Sequence, residues 1–401
     1  MELTHLLLVY KYLSSGRQQM ARWWSVALVV GCGVLGGCAT TTNYPYSAAE
    51  ERQLTAQVMA GADSAAGAGA EVLWLDNDVK ALLDSRIDRQ WPATRRLEAL
   101  RELLFADDAL HIQYSGSTTK TAMQTYASGT GNCLSMTNLF VAAARYLDLS
   151  AQFQTVEVRP TWDQQGAVMI RYEHVVATGR LPNGERYVVD FLPEFVLGDY
   201  DSSATSDAVG LSLYFNNLGA ESLVEGRTEA AIGYLQQALR LRPESSDAWG
   251  NMGAAMRRAG NQALAEFSYL RALHEDGSNF SALNNLAALY DLQGREEEAG
   301  RLAKRVERYR RTNPYYHYFV ANLFFEKGKD AEAVLLLREA IRLKRDEPEF
   351  YQALARIYTR TGDEAKADQT LQQGKKYVRK VFTPPGRNMN HRFWVNWLKV
   401  E

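Results

Sequence analysis

Apolar residues recur along this chain with three different periods, and each period predicts a different kind of element. Between about residues 72 and 104, Val79, Leu82, Leu83 and Ile87, then Leu97, Leu100, Leu103 and Leu104, fall at helical spacing. Pro92 after Trp91 divides that stretch into two helices. Residues 110–114 read as a short extended piece. Residues 121–128 are predicted as a helix, with Thr118 or Thr119 as its cap. Gly129-Thr130-Gly131 then turns into another helix, carried by Met136, Leu139, Phe140, Ala143 and Leu147. Beyond it the period changes to two. Three strands are predicted, over 152–159, 168–178 and 185–192, with Pro182-Asn183-Gly184 as the turn between the last two. Helices followed by a meander define an α+β unit.

The third period is 34 residues. Gly226, Gly260, Gly294, Gly328 and Gly362 are evenly spaced, and so are Ala231, Ala265, Ala299, Ala333 and Ala367. Large residues recur at Phe215, Trp249, Leu283, His317 and Tyr351. Ala238, Ala272 and Ala340 share a further position, from which Val306 and Gly374 depart. A 34-residue unit of two helices cannot bury its apolar face alone, so neighbours must stack. The pattern resembles tetratricopeptide repeats, which implies an all-α superhelical solenoid whose concave groove takes a protein or an extended peptide. Asn216, Asn217, Asn251, Asn284, Asn285, Tyr290 and Asn322 lie on the first helices and are groove candidates; the other reading makes them helix-bridging amides. The tail 382–401, with Trp394 and Trp397, is expected to strap the last repeat.

The amino terminus shows a different pattern. After Met20 comes Arg22 and then an apolar run to Gly37, too short to span a bilayer comfortably and suited to an export signal. It ends Leu35-Gly36-Gly37-Cys38, which resembles the lipobox of bacterial lipoproteins. The resemblance implies cleavage before Cys38 and acylation of Cys38. Ala39 at the next position implies the outer membrane, at its periplasmic face. Cys32 would leave with the signal and Cys38 would carry lipid, so Cys133 becomes the lone thiol of the mature chain. Residues 38–70 are rich in Ala, Thr, Gly and Ser and read as a tether, with a short helix near 48–60. The divisions expected are a signal over 1–37, a tether over 38–70, the α+β unit over 71–198, a linker over 199–211, five repeats over 212–381 and the tail.

Composition narrows the function classes. The 401 residues carry 45 basic and 47 acidic side chains, a net charge of −2 that gives no footprint for nucleic acid. No His pair at ligand spacing, zinc spacing or phosphate-binding glycine loop is found, so neither a metal nor another cofactor is expected. The chemistry concentrates at Gly131-Asn132-Cys133. A cysteine at a helix start meets unpaired N–H groups and the positive end of the dipole, which favour thiolate. A cysteine nucleophile needs a base and an orienting acceptor, and His174 and Asp190 follow on adjacent strands. A three-residue turn at 182–184 would put Asp190 across from Val176, the diagonal neighbour of His174; a two-residue turn would separate them. His111 is the other candidate base, but it precedes Cys133 and has no evident carboxylate partner.

These residues resemble the transglutaminase-like domain, the papain-like cysteine fold with a Cys-His-Asp triad, over about 70–205. The resemblance implies Cys133 as nucleophile, His174 as general base and acid, and Asp190 as orienter of the imidazole. The Cys133 N–H, with the side chain of Tyr114 or Gln113, would form the oxyanion hole. The function implied is a membrane-anchored peptidase or amidase working through an acyl-enzyme. The alternative is a catalytically inactive scaffold in the cell envelope. Each triad residue taken singly also admits a structural reading: a buried free cysteine, a strand histidine, a strand-end aspartate.

Overall fold

The structure, a computed structural model, describes residues 44–61, 69–115, 118–165, 168–191, 206–377 and 395–398. In 156–174 and 395–398 the description extends to the backbone. The expected signal over 1–37, Cys38 and residues 192–205 lie outside it. Among the described residues no helix is long and apolar enough to cross a membrane.

The described residues open on α1 (Ala48–Val58), begun by a capping box in which Ser47 and Glu50 satisfy each other's backbone N–H. Tether composition led to the expectation of a free segment, and 44–61 corrects it. Tyr44 stacks on His274 at 4.4 Å, and Tyr46 meets the edge of Phe267 at 5.3 Å. Glu51 pairs with Arg271 at 2.6 Å, while Gln236 Nε2 donates to the carbonyls of Val58 and Ala60. Two tyrosines within a stretch of small residues supplied the apolar area that docks it.

Two helices follow, α2 (Asn77–Arg86) and α3 (Ala93–Phe105), then β1 (Gln113–Tyr114), α4 (Ala122–Ser128) and β2 (Thr130–Gly131). β1 and β2 pair in parallel, Gln113 with Thr130 and Tyr114 with Gly131. The central helix α5 (Cys133–Tyr146) is buried along nearly all its length. It packs on an antiparallel sheet in the order β3 (Gln152–Gln165), β4 (Val168–Arg180), β5 (Arg186–Val189) and β6 (Val395–Leu398). Phe191, just past β5, sits between Phe105 at 5.2 Å and Phe140 at 6.0 Å.

β6 corrects the reading of the tail. Its last described residues do not strap the final repeat; they pair with β5, Tyr187 against Trp397 and Val189 against Val395. The free edge of β5 offers backbone donors and acceptors that a returning strand satisfies. The pattern of aromatic residues in the tail carried no information about which edge would be open.

The repeats are ten helices in five pairs: α6 (Asp207–Val224), α7 (Thr228–Leu241), α8 (Ser246–Arg258), α9 (Gln262–Glu275), α10 (Phe280–Leu292), α11 (Glu296–Thr312), α12 (Pro314–Glu326), α13 (Asp330–Leu343), α14 (Pro348–Arg360) and α15 (Glu364–Lys375). The first helix starts at Asp207, so the repeats begin five residues before the expected boundary and shorten the linker. The five periodic glycines each occupy the turn within a pair with φ between +70° and +82°, a conformation that L side chains adopt only with strain. The repeating alanines and the repeating large residues are all buried. One hydrophobic core runs from the α+β unit through the first three repeats, and a second serves the last two.

Candidate active site

The site is built around the entry to α5. Asn132 is its N-cap: Oδ1 accepts the Ser135 N–H at 2.9 Å and the Ser135 hydroxyl at 2.7 Å. Cys133 is therefore the first helical residue. Its thiol is free and half-buried, and no acceptor among the described residues takes its N–H. That N–H belongs to the group of unpaired donors at a helix start. Gly131 is required by packing: a Cβ there would lie 2.7 Å from Ser135 Cβ and 3.1 Å from Thr125 Cγ2. β1 runs beside this turn, so Tyr114 stands level with Gly131, and both Gln113 and Tyr114 are exposed.

The loop before α4 laces the same turn. The Thr119 hydroxyl accepts from Asn132 Nδ2 at 2.9 Å, the Lys120 N–H donates to Ser135 Oγ at 2.8 Å, and Asn138 Nδ2 donates to the Lys120 carbonyl at 3.0 Å. The helix α4 is capped by Thr121, whose hydroxyl accepts the Gln124 N–H at 3.2 Å. The expected caps, Thr118 and Thr119, lie too early; Thr119 instead supports Asn132. Local spacing could not separate these adjacent threonines. Lys120 Nζ ties down the turn from the outside, donating to Ser128 Oγ, Thr130 O and Thr130 Oγ1 at 2.9–3.0 Å.

The strand residues arrive through the hairpin. Leu181 N–H donates to the Glu185 carbonyl at 2.8 Å and Arg180 pairs with Arg186, so the loop at 182–184 has three residues. The register continues Thr178 with Val188 and Ala177 with Val189. One step further sets Asp190 level with Val176, two positions from His174. Asp190 is 4% exposed. The Thr137 hydroxyl, one turn along α5 from the cysteine, donates to the Cys133 carbonyl at 2.8 Å and to the Val175 carbonyl at 3.4 Å. The backbone adjoining His174 thus lies against the first turn of α5. The side chain of His174 lies outside the described residues. His111, which has a left-handed φ of 48°, does have a carboxylate partner, with Asp107 Oδ1 at 3.1 Å from Nδ1. The expectation of none failed because that carboxylate sits in an irregular turn.

The groove candidates divide. Asn251 Nδ2 donates to Asn216 Oδ1 at 2.9 Å, Tyr290 donates to Glu266 at 2.8 Å, and Arg310 donates to Asn284 at 3.3 Å. These four residues bridge the solenoid's own helices. Asn217, Asn285 and Asn322 are half-buried. The sheet also comes near the first helices of the third and fourth repeats, β4 toward α10 and β3 toward α12. No group of metal-binding side chains occurs among the described residues.

A half-buried cysteine opens the central helix of an α+β unit, over an antiparallel sheet, and that unit is joined to a solenoid of helical pairs. Residues 86–191 match the family model for the transglutaminase-like superfamily core, and residues 348–377 match that for a tetratricopeptide repeat. The chain therefore carries a transglutaminase-like core followed by a tetratricopeptide solenoid. It is 36% identical over 93 residues to the TPR repeat-containing protein PA4299 of Pseudomonas aeruginosa, a match spanning 23% of this chain and 38% of that protein. Among solved structures, MamA of Desulfovibrio magneticus aligns at 17% identity and a TM-score of 0.24, over 41% of this chain and 94% of the other. PilF of Pseudomonas aeruginosa aligns at 22% identity and a TM-score of 0.25, over 43% of this chain and 79% of the other. These overlaps add nothing to the assignment, which rests on the family models and the repeats.

Proposed function

We propose that this protein is a thiol hydrolase of peptide or amide bonds, with Cys133 as nucleophile, His174 as base and acid, and Asp190 as orienter of the imidazole. The observation that carries the reading is the hairpin register, which brings positions 174 and 190 within diagonal reach. Thiol sulfur adds to the carbonyl carbon as its proton passes to the imidazole. The Cys133 N–H supports the oxyanion, with Tyr114 or Gln113 beside it. The amine leaves with the proton, and water then releases the acid and restores the thiol. The solenoid presents the protein substrate or a partner.

The anchor belongs to the same proposal. With Cys38 acylated, the protein would be held at the periplasmic face of the outer membrane. Palmitate labelling that is lost in Cys38→Ser tests it.

The test of the chemistry is the rate of iodoacetamide alkylation at the Cys133 peptide, read by mass spectrometry in the full chain, with and without His174→Ala. The expected result is a rate at pH 6 well above that of free cysteine, lost in the variant. Ordinary thiol kinetics in both proteins would leave the transglutaminase-like unit as an inactive scaffold for the solenoid.

A further inference from the structure

The solenoid reaches into the nucleophile's turn. Glu221 lies on α6, the first repeat helix, 102 residues from the loop it serves. Its Oε1 accepts the N–H of Thr119 at 2.9 Å. Thr119, 4% exposed, passes the connection on, its hydroxyl accepting from Asn132 Nδ2 at 2.9 Å. Asn132, 7% exposed, fixes the first turn of α5 through Ser135. We propose that Glu221 is a positioning residue for Cys133, acting through Thr119 and Asn132. The proposal rests on the reading of Cys133 as a nucleophile.

Two features make this more than a chance contact. Residues 118–121 have no regular structure, so the buried Thr119 N–H has no ladder or helix partner and needs an acceptor from elsewhere. The acceptor is the carboxyl of a half-buried glutamate, so the bond is charge-assisted and partly shielded from water. Burial pushes the Glu221 carboxyl above its usual range, and the bond from Thr119 pulls it back. Glu225 and Arg227 are the charged neighbours that act on it. Asn132 also spends both ends of its amide, one on Thr119 and one on Ser135. Ser135 holds the oxygen end of that amide and Thr119 holds the nitrogen end. Each group in this connection has its partner, and removing one link leaves the next without one.

A double-mutant cycle in the full chain tests the proposal. Glu221→Gln, Glu221→Leu, Thr119→Val and the Thr119→Val/Glu221→Leu pair are compared by iodoacetamide rate at the Cys133 peptide across about pH 5.5 to 9. Glu221→Gln keeps an acceptor for Thr119 and should stay within about twofold of wild type. Glu221→Leu and Thr119→Val should each slow alkylation roughly three- to tenfold and move the pH profile. The pair should be no slower than the slower single variant, because either change breaks the same connection. Hydrogen exchange over 133–138 reads the positioning independently of thiol chemistry, and it should speed up in Glu221→Leu and Thr119→Val alike. Wild-type Cys133 that reacts as a free thiol would overturn the nucleophile, leaving exchange to judge the link. Multiplying effects in the pair, or unchanged exchange in Glu221→Leu, would overturn the link itself. Should Glu221→Leu fail to fold, unchanged exchange in Thr119→Val does the same.

Discussion

Gly131→Ala separates close packing from backbone conformation at the entry to α5. An alanine Cβ at 131 would meet Ser135 Cβ at 2.7 Å and Thr125 Cγ2 at 3.1 Å. Ser135 Cβ is fixed to the helix and cannot rotate away, so α5 or α4 must shift. Overpacking of this kind costs roughly 1–3 kcal/mol. Alanine also narrows the unfolded ensemble, which returns about 0.4–1 kcal/mol. The expected net loss is about 1–2 kcal/mol. Gly129→Ala is the comparison. Its φ is +64° and nothing lies within 4 Å of the added Cβ, so its cost is conformational alone, about 1–2 kcal/mol. Both variants should therefore lose similar stability in urea. Only Gly131→Ala displaces Cys133, and its alkylation at pH 7 should fall about threefold or more while Gly129→Ala stays within about twofold. Equal effects on Cys133 in the two variants would refute the packing argument, and so would an undiminished rate in Gly131→Ala.

Three further outcomes follow from the described contacts. His317 is buried at a position where other repeats place Phe, Trp, Leu or Tyr; burial lowers its pKa below 6.5, with the bond its ring donates to the Arg311 carbonyl and the charge of Glu339 opposing and Arg342 assisting. Its contribution is present above the unfolded pKa and is lost as pH falls through the lower folded value, so His317→Leu should remove acid loosening of the fourth repeat below about pH 6.5, read by circular dichroism. Asp207 accepts two bonds from Arg145 at 2.7 Å, which holds its carboxyl below the usual range; that stability is present above the unfolded pKa and lost as pH falls through the folded one. Asp207→Asn should cost about 0.5–1 kcal/mol at pH 7, with less difference at pH 3, by urea titration. Tyr46→Ala, which removes the ring against Phe267, should expose 44–61 to limited proteolysis while leaving α8 and α9 protected; unchanged cleavage would mean that the segment is held without it.

The sequence by itself determined the elements that repeat or alternate. Five glycines at a 34-residue spacing required five turns with positive φ, whatever lay around them, because no other residue adopts that backbone without strain. Cys133 at a helix start followed from the glycines before it and the apolar spacing after it. The hairpin register was legible as a choice between two loop lengths, and the three-residue loop observed is the one that brings 174 and 190 to one face. Tertiary structure decided everything that depends on distance along the chain. Tyr44 and Tyr46 lie in a stretch of tether-like composition, and contacts with Phe267, His274, Arg271 and Gln236 turn it into part of the solenoid. The tail pairs with β5 because that edge is open, a property of the sheet and not of the tail. Glu221 carries no local mark of its role, since its partner is a backbone N–H in a loop 102 residues away. Periodicity reports which face of an element is buried, whereas the identity of what buries it is fixed only when the elements meet.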